Sequence, residues 1–194
     1  MKTTDKLARE WQRMTIAECT DGQFPPRICK ELIEFSFLSV TGMQDIERSH
    51  FIWGKAGTGK TLYAAALMYE ILRRNYCEGR VLTMKFITFD DILLEIRHIF
   101  NTTGTITESQ VIEKYRRADW LVLDDFGIHK QSDWTYQVLY SIINYRYEHL
   151  KPVIITSNFS LMDLAAKLDD DRVVSRLSVM CRSQRMDQIK RKKP

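Results

Sequence analysis

Closely spaced cysteines are missing from this 194-residue chain. Its four cysteines, Cys19, Cys29, Cys77 and Cys181, form no CxxC pair and no Cys/His cluster, so neither a zinc site nor a disulfide framework is indicated. The spacing favours reduced thiols in a cytosol. The chain also lacks an apolar run approaching the roughly 20 residues of a membrane span, and its first residues lack the apolar stretch of a signal peptide. We therefore expect a cytoplasmic protein with no membrane partner.

Internal repeats and low-complexity tracts are absent as well, and the composition is that of an ordinary globular protein. Hydrophobic residues make up 44% of the chain and charged residues 28%. The length allows one α/β domain with a full core but not two. The formal net charge of +4 permits binding to nucleic acid without requiring it.

Strand and helix patterns alternate along most of the chain. The predicted strands are 50–53, 80–86, 120–124 and 152–156, and the predicted helices are 60–74, 89–100, 108–117, 134–148, 161–168 and 172–177. The apolar runs 121–123 and 153–155 are typical of central parallel strands covered on both faces. We expect residues 1–48 to form an N-terminal helical segment leading into a core at 49–180, and residues 181–194 to form a short basic tail.

A glycine-rich segment joins the first predicted strand to the first helix of the core. It consists of Gly54, Lys55, Ala56, Gly57, Thr58, Gly59, Lys60 and Thr61, with Leu62 next in the helix. Such a segment points its backbone N–H groups at phosphates, and the following helix presents its positive end to them. We expect Lys60 to reach the β- and γ-phosphates of ATP and the Thr61 hydroxyl to bind Mg²⁺. A chance glycine turn is the alternative, but it does not account for a match at eight positions.

Two adjacent carboxylates end the predicted strand 120–124. Burying Asp124 and Asp125 at a strand end is unfavourable unless a cation lies beside them. We predict that Asp124 holds the water shell of Mg²⁺ and that Asp125 orients the attacking water. A turn or helix cap after a core strand is the alternative.

The predicted strand 152–156 also leads into polar residues. Thr156 and Asn158 should lie at the carboxyl edge of the sheet, where parallel sheets bind ligands. Asn158 is therefore a candidate for contact with the γ-phosphate or the attacking water. An asparagine after a strand is otherwise a common turn former.

The order of these motifs resembles the AAA+ ATPases. The blocks 54–61, 121–127, 155–158 and 172–177 together resemble the DnaC/DnaI group of replicative-helicase loaders, to which the transposition helper ATPase IstB is related. The resemblance covers roughly residues 49–180. It implies a three-layer α/β P-loop fold of AAA+ type, with a mainly parallel five-stranded sheet and a reduced or absent C-terminal lid.

The resemblance also implies roles for single residues. The four blocks correspond to Walker A, Walker B, sensor 1 and box VII, so Asn158 would be the sensor. Arg176 would be an arginine finger that acts on the nucleotide of a neighbouring subunit, which requires self-assembly. From the residues alone, Arg176 could equally be a surface residue or a partner of Asp170 or Asp171.

The family further implies a DNA-contact region between the second and third strands. In this chain the basic and aromatic candidates there are Arg97, His98, Phe100, Lys114, Tyr115, Arg116 and Arg117. Basic groups that follow a phosphate backbone, with aromatic rings for base stacking, suit single-stranded DNA. The same span carries several acidic residues, so a solvated helix face remains the alternative.

Three features depart from the family pattern. Asp125 stands where many AAA+ proteins have glutamate, so we expect slow, assembly-dependent turnover. A full lid does not fit, and Arg182 or Arg185 are the candidates to replace part of it. The N-terminal helicase-binding domain of full loaders has no clear counterpart.

The expected function is Mg²⁺-dependent ATP hydrolysis in DNA replication, with binding to single-stranded DNA and to a hexameric replicative helicase of the DnaB type. A phage or mobile-element version of a loader is one form that it could take. An IstB-like transposition helper, or a nucleotide-gated DNA-binding module with vestigial hydrolysis, are the alternatives. A small-molecule kinase is disfavoured, because it would leave the box VII block unexplained.

Overall fold

The computed structural model describes residues 46–100, 106–127, 132–167 and 170–187. Residues 1–45 of the predicted N-terminal helical segment and residues 188–194 of the predicted tail lie outside these ranges. Within them, the chain folds as an alternating series of strands and helices. The elements are β1 (Ser49–Trp53), α1 (Lys60–Cys77), β2 (Met84–Thr88), α2 (Phe89–Phe100), α3 (Glu108–Arg117), β3 (Trp120–Asp124), α4 (Asp133–Glu148), β4 (Val153–Ser157), α5 (Leu161–Lys167), α6 (Arg172–Met180) and β5 (Cys181–Arg185).

The five strands form one parallel sheet in the order β2-β3-β4-β1-β5. Side chains of β3 alternate between the two faces, because successive residues of a strand point in opposite directions. Leu121 and Leu123 enter a cluster with α2 to α6, whereas Trp120 and Val122 pack with α1. Helices therefore cover both faces, which confirms the predicted three-layer fold. No helix in the described ranges is long and apolar enough to cross a membrane.

The second strand begins later than its sequence pattern predicts. The prediction of 80–86 is wrong at its start, since β2 spans Met84–Thr88. Gly79, with φ of 75°, lies in the turn that ends α1, and the N–H of Arg80 donates to the Asn75 carbonyl at 2.9 Å. Asp119 then accepts hydrogen bonds from the backbone and the hydroxyl of Thr83. Residues 80–83 therefore form an irregular segment before β2, and in it the Thr83 carbonyl already accepts from the N–H of Trp120 at 3.1 Å.

The fifth strand lies in the segment that was predicted as a tail. Cys181–Arg185 pairs in parallel with β1, from Ser49 opposite Cys181 to Trp53 opposite Arg185. The domain boundary at 180 is therefore wrong, since the core extends at least through this strand. Sequence patterns miss it because an edge strand needs a partner on one side only and tolerates exposed polar side chains. Its sequence, CRSQR, carries no apolar alternation.

A buried arginine connects α4 to the starts of two central strands. Arg146 is 0% exposed, and it donates to the carbonyls of Tyr115 and Ala118 at 2.9 Å and to that of Pro152. Burial lowers its pKa to about 10. These bonds satisfy carbonyls at the end of α3, which would otherwise lack partners, so Arg146 helps to position β3 and β4.

Candidate nucleotide site

The candidate site lies where β1, β3 and β4 end at the carboxyl edge of the sheet. β4 lies between β3 and β1, so the residues that follow it lie between the glycine-rich loop and the acidic pair. This order explains how motifs about 100 residues apart in sequence come together. The edge agrees with the general position of ligands in open α/β sheets.

Gly54 begins the loop at a place where no side chain fits. A Cβ atom on Gly54 would lie 2.3 Å from the carbonyl oxygen of Met186. The N–H of Gly54 donates to the Ser157 carbonyl at 3.1 Å, and the N–H of Met186 donates to the Trp53 carbonyl at 2.7 Å. The loop is therefore fixed between β4 and the chain that follows β5.

The remaining loop residues lie where the sequence predicts them. Lys55, Ala56 and Gly57 are exposed, and Gly59 takes a left-handed conformation with φ of 91° just before α1. The buried Thr58 hydroxyl donates to the Lys55 carbonyl at 2.9 Å, which closes the loop on itself. Lys60, Thr61 and Leu62 form the first turn of α1. Nucleotide binding by these residues stays a prediction.

Lys60 is 7% exposed and directs its ammonium group into the site. Its Nζ donates to the carbonyls of Gly54 and Lys55, both at 3.0 Å, and to Asn158 Oδ1 at 2.8 Å. Burial lowers the pKa of Lys60, and the carboxylates of Asp125 and Asp124 oppose that shift. The lysine therefore lies within the electrostatic field of both acids.

The two acids differ in their surroundings. Asp124 accepts a hydrogen bond from the Thr156 hydroxyl at 2.6 Å, and burial raises its pKa while hydrogen bonds from Thr156 and Thr61 oppose the increase. Asp125 is exposed and has a left-handed backbone with φ of 50°. Its N–H donates to the same Thr156 hydroxyl at 2.8 Å. One acid thus faces the interior of the site and the other faces solvent.

Asn158 joins the lysine to the outer acid. Its Oδ1 accepts from Lys60, and its Nδ2 donates to Asp125 Oδ1 at 3.2 Å. Lys60, Asn158 and Asp125 therefore form one continuous network at the sheet edge. The catalytic roles of the three residues stay predictions.

The oxygen atoms of Thr61 and Asp124 suit a hard cation such as Mg²⁺. The hydrogen bond between these two side chains brings them together. No cluster of three His, Cys, Asp or Glu side chains that could hold a metal occurs in the ranges that the structure covers. Mg²⁺ commonly binds through one or two protein oxygens together with substrate phosphates, and the pair fits that mode.

Arg176 lies away from the phosphate loop of its own chain, on the face of α6 that packs against α4. Its Nε donates to Asn144 Oδ1 at 2.6 Å, and its terminal nitrogens donate to the Arg172 carbonyl and to the Tyr140 hydroxyl. Neither Asp170 nor Asp171 is a partner, although Asp170 pairs with Arg172 at 2.6 Å. The alternative of an Asp170 or Asp171 partner is therefore wrong.

The candidate DNA residues do not share one environment. Arg97 and His98 are exposed on the last turns of α2, where Phe100 ends the helix. Lys114 pairs with Glu95 at 2.8 Å. Arg116 and Arg117 both pair with Glu113.

Tyr115 cannot stack on a DNA base, and its inclusion among the DNA contacts is wrong. The residue is 1% exposed, and its hydroxyl donates to Glu95. Its position in α3 places the ring in the cluster of α2, α4 and β3.

Sequence reasoning did not find several contacts of the site. The double role of the Thr156 hydroxyl and the Asn144 contact of Arg176 were both missed, and so was the approach of Met186 to Gly54. The sequence placed Thr156 at the carboxyl edge of the sheet but carried no signal for the two hydrogen bonds of its hydroxyl. Arg185 lies opposite Trp53 beside the loop, with its guanidinium 5.5 Å from that ring. Arg182 lies opposite His50, farther from this edge.

A sequence model of the IstB-like ATP binding proteins matches residues 12–182 of this chain. The chain belongs to this family. Among the curated relatives of this chain, the replicative helicase loader DnaC of Escherichia coli (strain K12) is 32% identical to it over 124 residues. These residues are 64% of this chain and 47% of DnaC. The phage-like element PBSX protein XkdC of Bacillus subtilis (strain 168) is 25% identical over 171 residues, which are 84% of this chain and 59% of XkdC.

Solved structures show the same fold. The crystal structure of the DnaC helicase loader superimposes with a TM-score of 0.58 at 24% identity, over 83% of this chain and 89% of that one. The replication initiator DnaA bound to AMPPCP and single-stranded DNA gives a TM-score of 0.57 at 22% identity, over 84% and 45% of the two chains. These similarities confirm the resemblance to AAA+ helicase loaders and to IstB. The chain spans about half the length of the curated relatives it matches.

Proposed function

We propose that this protein binds ATP with Mg²⁺ at the candidate site and hydrolyses it. The network from Lys60 through Asn158 to Asp125 supports this proposal most strongly, because it joins a phosphate-binding cation to a candidate base. Thr61 and Asp124 would hold Mg²⁺, which neutralises phosphate charge when bound. Lys60 exchanges a loop carbonyl for phosphate oxygens, and Asp125 orients the attacking water from the exposed side of the site.

Hydrolysis requires a group that stabilises charge on the transferred phosphate. Arg176 bonds to α4 and to its own helix, so it would act on the nucleotide of a neighbouring copy. An arginine supplied in this way can change hydrolysis rates by orders of magnitude. The proposal therefore includes self-assembly, with turnover that is slow in the monomer.

The proposed biological role is that of a helicase loader in DNA replication. Similarity to DnaC supports a hexameric replicative helicase of the DnaB type as the protein partner. The side chains of Arg97 and His98 are exposed at the end of α2, and those of Lys114 and Arg117 are exposed on α3, so they offer positively charged and polar groups to a DNA backbone. The fold shared with DnaA, whose structure contains single-stranded DNA, supports that choice of ligand.

Nucleotide binding tests the first part of the proposal. Lys60→Ala should remove most ATP binding in calorimetry, because the Lys60 ammonium group is the cation that bonds to the loop carbonyls of Gly54 and Lys55 and to Asn158. Equal affinity of the variant and the wild type would show that the loop is not the site.

A mixture of two variants tests the assembly. Lys60→Ala protein cannot bind ATP but offers Arg176, whereas Arg176→Ala protein binds ATP but offers no finger. Each should be inactive alone, and their mixture should regain hydrolysis. A mixture that stays inactive would identify Arg176 as a structural residue.

A transposition helper ATPase is the second candidate, and the match to the IstB-like family favours it. Immobilised protein with ATP should retain a DnaB-type helicase if the loader role is right. Retention of a transposase, with no retention of the helicase, would favour the second candidate.

A further inference from the structure

Arg176 is oriented entirely by neutral groups. Its Nε donates to Asn144 Oδ1 at 2.6 Å, one terminal nitrogen donates to the Arg172 carbonyl at 3.0 Å, and the other donates to the Tyr140 hydroxyl at 3.1 Å. The guanidinium carbon lies 4.9 Å from the centre of the Tyr140 ring and 5.7 Å from that of Tyr147. Each nitrogen of the guanidinium is therefore held by an acceptor that carries no charge.

Neighbouring arginines are held differently. Arg172, one helical turn before Arg176, pairs with Asp170 at 2.6 Å. Arg116 and Arg117 pair with Glu113. Within the described residues, no carboxylate pairs with Arg176, so its positive charge is not neutralised by a counterion. A guanidinium has five N–H donors, and three hydrogen bonds leave two for an incoming anion.

Glu148 explains why Asn144 turns its oxygen toward the arginine. The Nδ2 of Asn144 donates to Glu148 Oε1 at 2.9 Å, which assigns the amide so that Oδ1 faces Arg176. The neutral amide thus lies between the carboxylate and the guanidinium. This arrangement fixes the arginine and also keeps the nearest acid on α4 from pairing with it.

We propose that Asn144 and Tyr140 are positioning residues that keep Arg176 oriented, and without a carboxylate partner, for a phosphate of a neighbouring copy. This inference rests on the proposed arginine finger. A carboxylate at position 144 would form a charge-assisted, two-pronged pair with the guanidinium. That pair would have to break before Arg176 could contact a phosphate, whereas hydrogen bonds to neutral groups are exchanged at lower cost.

The test moves one negative charge along α4. The double variant Asn144→Asp with Glu148→Gln keeps the net charge, and it also keeps a hydrogen bond between the two positions, but places the carboxylate against Arg176. The two substitutions are introduced into Lys60→Ala protein, which cannot bind ATP and can only supply Arg176 to a neighbour. This donor is then mixed with Arg176→Ala protein, which binds ATP but lacks the arginine.

We expect ATP hydrolysis in this mixture to be at least tenfold lower than in the mixture of Arg176→Ala protein with Lys60→Ala protein that carries no further substitution. The melting temperature of the donor should be unchanged. Glu148→Gln alone leaves a neutral amide against the arginine and should cause a smaller loss. Full hydrolysis with the double-variant donor would overturn the positioning role and leave the proposed finger intact. If the mixture of Lys60→Ala and Arg176→Ala proteins shows no hydrolysis, Arg176 is not an arginine finger, and the inference fails with that proposal.

A second variant covers the case in which the double variant does not fold. Tyr140→Phe keeps the half-buried ring and removes only the hydroxyl that accepts from Arg176. Tyr140→Phe is added to the Lys60→Ala donor, which is again mixed with Arg176→Ala protein. Hydrolysis by the mixture should fall several-fold, while the ATP affinity of the Arg176→Ala protein stays unchanged. If the mixture hydrolyses ATP as fast as it does with the Lys60→Ala donor that keeps Tyr140, the positioning role of Tyr140 is wrong.

Discussion

A hydroxyl and an amide group connect the charged residues of the candidate site. Thr156 donates to Asp124 and accepts from the N–H of Asp125, and Asn158 joins Asp125 to Lys60. A strand residue without the hydroxyl would leave the half-buried Asp124 carboxylate without one of its donors.

Thr156→Val removes this hydroxyl with little change in side-chain shape. We expect it to lower the free energy of unfolding by about 1 to 2 kcal/mol, because Asp124 loses a hydrogen bond to a charged group. Urea titration measures this change. Thr156→Ser keeps both hydrogen bonds and serves as the matched control. Equal stability of the valine and serine variants would show that the hydroxyl does not hold the acidic pair.

Glu70 makes the stability of α1 depend on pH. Burial raises the pKa of its carboxyl, but hydrogen bonds from Arg73 at 2.7 Å and Arg74 at 2.9 Å outweigh burial and lower the pKa below its ordinary value of 4.5. A carboxylate whose pKa is lower in the folded state stabilises fully above the unfolded pKa and loses that contribution as pH falls through the folded value.

Glu70→Gln should therefore destabilise the protein at pH 7 by about 1 kcal/mol, and the difference from wild type should shrink below about pH 4. Urea unfolding of both proteins at the two pH values measures this. An equal difference at both would show that the charge of Glu70 is not the stabilising feature.

At the scale of elements, patterns predicted the central parts of the fold but not its margins. The strands β3 and β4 are continuous apolar runs and were found within one residue of their ends. β2 was placed too early because residues 80–83 form no strand: Arg80 bonds back to Asn75, and Thr83 bonds to Asp119, which lies 36 residues later in the sequence. β5 was missed because its side chains are polar and its stability comes from backbone pairing with β1.

The end of α4 contains a strained leucine. Leu150 has φ of 52°, and the N–H of Lys151 donates to the Arg146 carbonyl at 2.9 Å, as in helix ends where glycine is usual. Leu150 is 91% exposed, so its side chain contributes little burial. Leu150→Gly should raise the free energy of unfolding by about 0.5 to 1 kcal/mol.

Leu150→Ala is the matched control for this change, since it keeps the Cβ atom and should leave stability nearly unchanged. Thermal or urea unfolding of the three proteins gives the comparison. A glycine variant less stable than the alanine variant would contradict the assignment of strain.

For the whole molecule, motifs at strand ends meet at one edge of the sheet, whereas the contacts of candidate residues on helices depend on tertiary packing. The loop, the acidic pair and Asn158 each follow the end of a strand. The carboxyl ends of parallel strands lie at the same edge of the sheet, so these residues come close together. Tyr115 and Arg176 lie on helices, where partners depend on how the helices pack. Packing buried Tyr115 beside Glu95 and placed Arg176 against Asn144, and neither contact follows from periodicity.

Hydrolysis by Asp125→Asn protein tests the central claim most directly. The substituted amide can still accept the hydrogen bond from Asn158 through its oxygen, so the loop network should persist while the carboxylate that orients water is lost. ATP binding by calorimetry should be retained, and hydrolysis in the assembled state should fall at least tenfold, or about 1.4 kcal/mol of transition-state stabilisation. Hydrolysis at the wild-type rate would contradict the account, because Asp125 would then have no part in the reaction.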